Sequence, residues 1–595
     1  MLALAASLAG CDSSGGGEES SGEAQPAGGA ASDAAAEAPP GPSEELGLVE
    51  GWGPDRAELD RAADQVARLR LPDLAGQLIV ASWSGTRAPV RMVHDLHLGG
   101  VIAFDANVES AGQVRAVNRA LARSERKRGW PLFLGVDQEG GVVERLRGVA
   151  TRFPTFMSTG AAGDADLTRR AYAASGAELR GLGFTVDFAP DADVTSGPGD
   201  PTIGSRSASS DPALVAEHVV AAAGGFSSAG VLPVVKHFPG HGSVPADSHV
   251  TLPVQTKTLR QLERSDLVPF REAVRAGLPA VMVGHLDVRA VDRGVPSSLS
   301  RPVVTGLLRD DLGFGGLVVT DALDMAGVTR GRDAGRAAVQ AVRAGADVLL
   351  MPPSPALART ALVRAVRSGA LPRRRLEQAA ARQVALLTHL RDGGGATGGA
   401  TGGATEGATE GATEGATGAA RAASRELSAA AVTVTDGACT GPLVGASVHP
   451  YGDSGAVAAF TAAAAAPGWR CCCAVRRLRG WCARTPGRSG AGTRGAGTTA
   501  SAVASGGVTR CVASGASPAG PRRRTRASRS GPRWDSPATT TLRSTVRSPS
   551  PPTARGCWAR SPRPPGSRPT GTPRRRWTCS SRCCAARPRR RDGSR

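Results

Sequence analysis

The chain has 595 residues and a formal net charge of +20, which by itself would indicate nucleic acid or an anionic membrane as a partner. The charge is concentrated at one end: residues 469–595 hold 29 Arg and 2 Asp, a net of +27, so residues 1–468 carry −7. An acidic body excludes nucleic-acid binding for the main part of the protein, and we expect no nucleic-acid partner.

The first eleven residues form a short apolar run that ends in Leu8-Ala9-Gly10-Cys11. This pattern is typical of a bacterial lipobox, in which Cys11 is lipidated, and the alternative is an ordinary secretory leader with an incidental cysteine. The run is too short to span a bilayer, so we expect membrane attachment only through a lipid on Cys11, at the extracytoplasmic face. Residues 12–50 are rich in Gly, Ser, Ala, Glu and Pro and predict a flexible tether.

Residues 55–390 alternate short aliphatic runs with helical patterns. Strands are predicted at 77–83, 100–104, 132–137, 185–189, 232–237, 280–285, 317–321 and 347–351. Helices are predicted at 111–125, 166–182, 212–229, 258–276, 302–311 and 334–344. Apolar strands separated by helices indicate an α/β fold with a parallel sheet, and eight repeats favour a closed (β/α)8 TIM barrel. An open doubly wound sheet is the alternative.

Polar residues lie at or just beyond the ends of four predicted strands: Asp137, His237, His285 and Asp321. In a barrel the carboxyl ends of the strands converge on one face, where active sites lie. The sequence therefore predicts a polar site on that face.

Beyond the barrel, residues 393–418 repeat Gly-Gly-Ala-Thr and then Glu-Gly-Ala-Thr, which predicts a mobile low-complexity linker. Residues 424–435 are interpreted as a helix running into a strand, the start of a second α/β domain over 419–468. This second domain is predicted to be truncated because an anomalous segment follows it.

That anomalous segment, residues 469–595, contains no Ile, Phe, Tyr, Met or Lys, and so offers too little apolar surface for a core. Its nine cysteines are odd in number and irregularly spaced, which argues against a disulfide scaffold. Two explanations remain open, a gene read in a shifted frame and a disordered Arg/Pro/Cys-rich tail.

Four motifs carry candidate chemistry. Asp321 is interpreted as a carboxylate nucleophile or, alternatively, as a helix N-cap. Lys236 at the end of a buried strand needs a polar partner, and Arg145 and Arg206 offer forked donors to a sugar or a carboxylate. The motifs span residues 135–141 with Arg145, 203–206, 236–242 followed by 247–249, and 318–325.

Asp247 and His249 lie two residues apart in a loop that contains Gly and Pro. A carboxylate so close to an imidazole orients the ring and raises its basicity, as a general acid/base requires. The alternative is a solvated loop histidine with no chemical role.

Over residues 55–390 these motifs resemble glycoside hydrolase family 3, in its β-N-acetylglucosaminidase branch. The Lys-His-Phe-Pro-Gly-His-Gly sequence with the following Asp-Ser-His carries the resemblance. The resemblance implies that Asp321 is the nucleophile and that His249 is the acid/base, with Asp247 as its partner. It also implies that the sugar is held by Asp137, Arg145, Arg206, Lys236 and His237.

The implied reaction is a double displacement with retention, in which an imidazole replaces one of the two usual carboxylates. The implied substrate is an N-acetylglucosamine-containing, peptidoglycan-type carbohydrate, with phosphorolysis left open as an outcome. No cofactor is expected, since no phosphate loop or dinucleotide fingerprint occurs. Two other functions remain: a non-catalytic sugar-binding lipoprotein, and a metal-dependent hydrolase with His237, His241 and His249 as zinc ligands.

Overall fold

Eight parallel strands form the centre of the domain. The computed structural model describes residues 39–393, 410–436, 447–448, 450–465, 469–473 and 480–484. The strands are β1 (Ile79–Ala81), β2 (Gly100–Ala103), β3 (Phe133–Val136), β4 (Val186–Asp187), β5 (in two parts, Leu232–Pro233 and Val235–Phe238), β6 (Ala280–Val283), β7 (Leu317–Thr320) and β8 (Leu349–Leu350). Each predicted strand is present; β5 is interrupted and extends one residue beyond its predicted end, and the other seven are shorter than predicted.

The strands pair in two sheets that share β5. One sheet has the order β8-β1-β2-β3-β4-β5 and the other the order β7-β6-β5, with every pair parallel. A parallel bridge between Val319 and Val348 links β7 to β8. Parallel pairing thus passes through all eight strands, as in a TIM-barrel-like domain.

The strands form because their residues are apolar on both faces. All four residues of β2, β3, β6 and β7 are buried, as expected for strands covered by helices outside and packed side chains inside. In register, Ala280 lies beside Leu317 and Val283 beside Thr320, so β6 and β7 end together. The residues that follow them therefore emerge side by side.

Most predicted helices are confirmed, and several begin at a side-chain cap. Asp164 accepts the Leu167 N–H and Asp333 accepts the Arg336 N–H, which satisfies donors that a helix start leaves unpaired. The longer helices are Arg56–Ala67, Ala111–Ser124, Ala165–Gly181, Pro212–Ser228, Ala334–Ala344, Pro355–Arg367 and Arg373–Arg391. Shorter helices are Pro42–Glu45, Leu71–Gln77, Val90–Leu96, Met157–Ala162 and Ala326–Thr329, with single turns at Asp105–Asn107, Arg126–Arg128, Gly197–Gly199, Gly204–Arg206 and Ser297–Leu299.

Two predicted helices differ from the structure. The helix predicted at 258–276 is two helices, Leu259–Arg264 and Val268–Arg275. The break falls at Asp266, whose buried carboxylate accepts hydrogen bonds from Lys257, Ser243 and Ser265, and Pro269 follows at the next helix start. The predicted helix at 302–311 is present as a π-helix, Pro302–Asp311.

The helix Arg373–Arg391 crosses the amino-terminal ends of the strands. Its Arg382 Nε donates to the Gly315 carbonyl just before β7, at 3.0 Å. Its Gln383 accepts from Gln77 just before β1, also at 3.0 Å. The segment before the first long helix lies on the same face, where Trp52 packs beside Gly315. This helix and segment close the face of the barrel opposite the carboxyl-terminal rim.

Two small strand pairs lie in the loops and were not predicted. Gln138–Gly140 pairs antiparallel with Val143–Glu144 directly after β3. Val254–Gln255 pairs parallel with Asp287–Val288 after β5 and β6. Both pairs stiffen loops that carry motif residues.

The mobile linker predicted at 393–418 is wrong at its carboxyl end, because residues 410–418 belong to the helix Glu410–Ala430. This helix packs against Ala165–Gly181, with Ala420 and Leu427 buried. Ala and Glu favour a helix, and burial of its apolar side holds it on the barrel. The strand predicted after it is also wrong, since residues 432–435 are not in a strand.

The described residues beyond this helix form the helix Ser454–Ala465 and three antiparallel strands, Ser447–Val448, Trp469–Cys473 and Gly480–Arg484. Cys11, residues 12–38 of the predicted tether, and residues 485–595 lie outside the described residues. The truncated second domain and the shifted reading frame therefore stay predictions. The tether prediction is wrong at its carboxyl end, because Pro42–Glu45 is a helix and Leu46 and Leu48 are buried. None of the described helices has the length and apolar character that a membrane span requires.

Candidate active site

Asp321 directly follows β7 and is held by its neighbours. Its N–H donates to the Val283 carbonyl at 2.9 Å, and its Oδ1 accepts the Ala322 N–H at 2.8 Å. The next helix, Ala326–Thr329, begins after Met325, so Asp321 does not cap it. Burial alone would raise the pKa of Asp321, but the nearby His285 and His237 and the Ala322 N–H lower it below its ordinary value. The group is therefore a half-buried carboxylate that stays ionised.

His285 follows β6 and lies beside Asp321. Its Nε2 is 2.9 Å from the Ala322 carbonyl and its Nδ1 is 2.7 Å from the Ser298 hydroxyl. Because a carbonyl only accepts, Nε2 carries the proton and Nδ1 accepts from Ser298. Burial lowers the pKa of His285, so the ring stays neutral against the turn that carries Asp321.

Lys236 and Arg206 share one acid, Glu139. Lys236 Nζ lies 2.9 Å from Asp137 and 2.6 Å from Glu139. Arg206 binds Glu139 through two hydrogen bonds of 2.9 and 2.8 Å. Burial raises the pKa of Glu139, but these two cations outweigh burial and lower the pKa well below its usual range. The cluster is a fixed, charge-balanced network under the rim.

Glu139 has no assigned role in the sequence analysis, although it lies inside the first motif. The available signal is the pair of cations: a buried Lys and a buried Arg each require an acid, and Asp137 alone would leave one unpaired. Glu139 is therefore the residue that brings Lys236 and Arg206 together.

His237 is fixed from below by Asp193. Its Nδ1 lies 2.7 Å from Asp193 Oδ2, and its Nε2 lies 3.5 Å from Arg206. Burial lowers the pKa of His237 to about 4, although the nearby Asp191 acts in the opposite direction. The ring is thus neutral, with Nδ1–H donating to Asp193 and Nε2 on the side of Arg206.

Asp191, Asp193 and His237 each offer a ligand atom within 4.8 Å of the others, the one group of this kind in the described part of the chain. Arg206 lies 3.3 Å from Asp191, and His237 donates to Asp193, so protein groups already balance these acids. The zinc ligands considered from the sequence do not form such a group. His241 instead faces Ser248 at 3.2 Å, and His249 faces Asp247.

His249 and Asp247 form the predicted pair. The Asp247 Oδ1 accepts from the His249 backbone N–H at 2.8 Å. The same oxygen lies 2.8 Å from the Nδ1 of the His249 ring. The pair lies on an open loop, where the His249 side chain is 69% exposed. Burial raises the pKa of Asp247, but the hydrogen bonds that it accepts from the His249 backbone and ring together outweigh burial and lower the pKa below its usual value. The carboxylate therefore stays charged beside the imidazole.

The loop is attached to the turn that carries Asp321. Ser248, between the two residues of the pair, is buried, and its hydroxyl lies 3.2 Å from His241 Nε2. Its carbonyl accepts the Gly327 N–H at 3.2 Å, shortly after Asp321 in the chain. One backbone hydrogen bond therefore joins the loop of the acid/base candidate to the segment that follows the nucleophile candidate.

Arg145 lies apart from the Lys236 network. Its Nη1 is 3.6 Å from Asp105, and its guanidinium lies over the Phe104 ring, 5.3 Å from the ring centre. Both partners follow β2, so Arg145 lies on the rim with a different set of neighbours. Seven of the eight predicted chemical residues lie on β5 or in the segments that follow β3, β4, β5 and β7, and Arg145 lies farther along the rim.

A parallel barrel-like domain whose carboxyl-terminal rim collects carboxylates and histidines has the architecture of a barrel enzyme. Residues 70–386, more than half of the chain, match the Glycosyl hydrolase family 3 N terminal domain. The chain belongs to this family, which confirms the family expected from the motifs.

Relatives of the chain carry names that belong to the β-N-acetylglucosaminidase branch of the family. The chain is 39% identical over 274 residues to beta-hexosaminidase A of Pseudoalteromonas piscicida, covering 43% of this chain and 46% of that protein. It is 38% identical over 274 residues to a beta-hexosaminidase of Thiobacillus denitrificans, covering 45% of this chain and 75% of that protein. The chain thus spans less than half of the first of these relatives.

Two solved structures have the same fold. A family 3 beta-N-acetylglucosaminidase from Paenibacillus sp. str. FPU-7 superimposes with a TM-score of 0.54 at 37% identity, covering 61% of this chain and 69% of that one. A family 3 glycosyl hydrolase from Mycobacterium smegmatis gives 0.51 at 34% identity, covering 54% of this chain and 98% of that one.

Proposed function

We propose that this protein is a retaining glycoside hydrolase that removes terminal β-linked N-acetylglucosamine. The observation that carries the proposal is the hydrogen bond from the Gly327 N–H to the Ser248 carbonyl, which joins the loop of the Asp247–His249 pair to the segment that follows Asp321. The names of the relatives, beta-hexosaminidase and beta-N-acetylglucosaminidase, support the substrate class.

In the first step, a carboxylate oxygen of Asp321 bonds to the anomeric carbon as the glycosidic C–O bond breaks. Protonated His249 gives its proton to the departing oxygen, so the leaving group departs as a neutral alcohol. The lowered pKa of Asp321 keeps the nucleophile charged at neutral pH. The product of this step is a glycosyl ester on Asp321.

In the second step, a water oxygen bonds to the anomeric carbon and the ester bond to Asp321 breaks. Neutral His249 takes a proton from that water, which returns the histidine and the carboxylate to their starting states. Two inversions give net retention. Phosphate in place of water would yield a sugar phosphate, and we propose water as the acceptor.

The sugar ring is held by the network beneath the nucleophile. Lys236 has three N–H donors and uses two on Asp137 and Glu139, and Asp137 remains partly exposed as an acceptor. Arg206 and His237 complete this subsite. Arg145, supported by Asp105 and Phe104, contributes from the neighbouring part of the rim.

We further propose that the enzyme is held at the extracytoplasmic face of the membrane by a lipid on Cys11 and acts on peptidoglycan-type carbohydrate. The support for this is the lipobox pattern of the leader. Metabolic labelling with a palmitate analogue tests the anchor: the intact chain should be labelled, and Cys11→Ser should not.

The central test compares release of nitrophenol from the β-N-acetylglucosaminide and from the β-glucoside by the full chain. We expect a preference for the acetamido sugar and a loss of at least about 10⁴-fold in kcat for Asp321→Asn, with an unchanged melting temperature. Preference for the glucoside would contradict the assigned substrate. Sugar binding without turnover by the folded protein would favour the alternative, a non-catalytic sugar-binding lipoprotein.

A further inference from the structure

A groove of about 1110 Å³ opens on the amino-terminal face of the barrel, opposite the candidate active site. It lies beside the starts of β7 and β8 and the end of the π-helix Pro302–Asp311. Five of the residues that line it are arginines: Arg301, Arg309, Arg343, Arg375 and Arg382. The proposed function gives this groove no role.

The floor of the groove is built around one buried acid, Asp347. It accepts from Arg309 at 2.6 Å, from Arg375 at 2.9 Å and from Arg382 at 3.3 Å. The side chain of Asp347 is fully buried, and that of Arg382 is only 5% exposed. Three guanidinium groups thus share a single negative charge at low exposure.

The positive charge of this cluster is incompletely balanced. Among the described residues, the acids that line the groove are Asp292, which accepts from the Ser300 hydroxyl, and the exposed Asp310. Burial and the charge of Arg309 lower the pKa of Arg382 to about 9, even with Asp347 beside it. Five arginines therefore line a groove whose nearby acids are three aspartates: Asp292, Asp310 and the buried Asp347.

One donor in the cluster is unused. The Nη1 atom of Arg375 is buried and has no hydrogen-bond partner among the described residues. A buried donor without a partner costs free energy. Above it, Arg301 and Arg343 are exposed at the edge of the groove, where their forked donors remain accessible.

We propose that this groove binds a phosphate group, as a free phosphate compound or as the headgroup of an anionic phospholipid. Guanidinium groups bind phosphate oxygens through paired charge-assisted hydrogen bonds, and the exposed Arg301 and Arg343 offer such donors at the edge of the groove. Gly47 and Val49 also line it, so the carboxyl end of the segment predicted as a tether, residues 12–50, lies on the barrel at this face. The site is separate from the sugar subsite, and its occupancy is measurable without reference to catalysis.

The experiment is hydrogen exchange on the full chain, which reports on each segment separately and so distinguishes the groove from the basic tail. The probes are pyrophosphate, vesicles of phosphatidylglycerol in phosphatidylcholine, and vesicles of phosphatidylcholine alone. We expect slower exchange in residues 309–316 and 370–383 with pyrophosphate, or with the anionic vesicles only. The first result identifies a free phosphate compound and the second a lipid headgroup.

The variant that tests the assignment is Arg301→Ala/Arg343→Ala, because both side chains are exposed and neither contacts Asp347. The double variant should need a ligand concentration about tenfold higher or more to reach the same protection. Arg336→Ala is the matched control, since it is exposed on the same helix, Ala334–Ala344, about 10 Å from Arg343 along the axis. No protection by either probe, or equal protection in both variants, would overturn the proposal.

Discussion

The two faces of the barrel use buried charge in different ways. At the carboxyl-terminal face, the ionisable groups come from different strands and their pKa values are pushed apart: that of His237 falls to about 4 and that of Asp187 rises to about 8. At the amino-terminal face, one acid, Asp347, is surrounded by three arginines and its pKa is simply lowered. Burial raises an acid's pKa at both faces, so the difference comes from the neighbouring charges.

The two faces also differ in how far solvent reaches their acids. Asp321 is partly open to the rim and lies near a loop with an exposed histidine. Asp347 is fully enclosed by the helix Arg373–Arg391 and by the π-helix. We therefore expect changes at the first face to alter rates and changes at the second face to alter stability.

Of the changes that distinguish the two faces of the barrel, His249→Ala should have the largest effect, and that effect should be on the reaction rate. Without the acid, glycosides with poor leaving groups should be slowed by about 10²- to 10⁴-fold, while activated dinitrophenyl glycosides should be slowed far less. The measurement is kcat/KM for both substrate types. His94→Ala, at another exposed histidine, is the control and should change neither. Equal slowing of both types by His249→Ala would remove the acid/base assignment.

Glu139→Gln should change both binding and stability, because Glu139 lies between two buried cations at the first face. Leaving Lys236 and Arg206 without this charge should cost about 3–5 kcal/mol of unfolding free energy and raise KM. Urea unfolding and initial rates measure the two effects, with the exposed Glu263→Gln as control. An unchanged KM would show that the network supports the fold alone.

Asp347→Asn tests the second face with a similar loss of charge. It should destabilise the protein by about 3–5 kcal/mol, because three arginines lose their shared acid. The kcat/KM of the folded fraction should equal that of the original protein, and the exposed Asp310→Asn should change neither quantity. A fall in kcat/KM at full folding would mean that the two faces are coupled.

Asp187→Asn should have the smallest effect, visible as a change in pH dependence. Burial raises the pKa of Asp187 to about 8. Between about pH 4 and 8 the folded protein therefore keeps a proton that the unfolded chain has released, so its contribution to stability falls as pH rises. The variant lacks this titration. The difference between its melting temperature and that of the original protein should therefore increase in favour of the variant as the pH rises, and should be largest at pH 8. Parallel curves, as expected for the exposed Asp95→Asn, would contradict the raised pKa.

Much of the barrel was predictable because its signals are local. The eight strands are continuous apolar runs, and the helix Ala334–Ala344 was predicted with its exact bounds. Residues 258–276 were mispredicted as one helix because the buried carboxylate at Asp266 is satisfied by residues outside the pattern. The first part of the helix Glu410–Ala430 was missed because its Gly-Ala-Thr repeats are typical of a linker. The burial of Ala420 and Leu427 against the barrel, which stabilises the helix, is not visible in the sequence.

The candidate site also has residues that the sequence could predict and residues that it could not. The Asp247–His249 pair was predictable, since two residues so close in the chain can hydrogen-bond directly. Glu139, Asp193 and Ser298 were not assigned, because their partners lie on other strands. Lys236 and Asp137, for example, are 99 positions apart.

The sequence by itself determined the order of strands and helices, the family and the residue types offered at each strand end. Those properties depend on neighbours within a few positions, and a single chain displays them directly. Only the tertiary structure decided which acid balances which cation, which histidines stay neutral and where arginines gather on the opposite face. Pairing and pKa depend on distance and burial, and these exist only after strands far apart in the chain have come together.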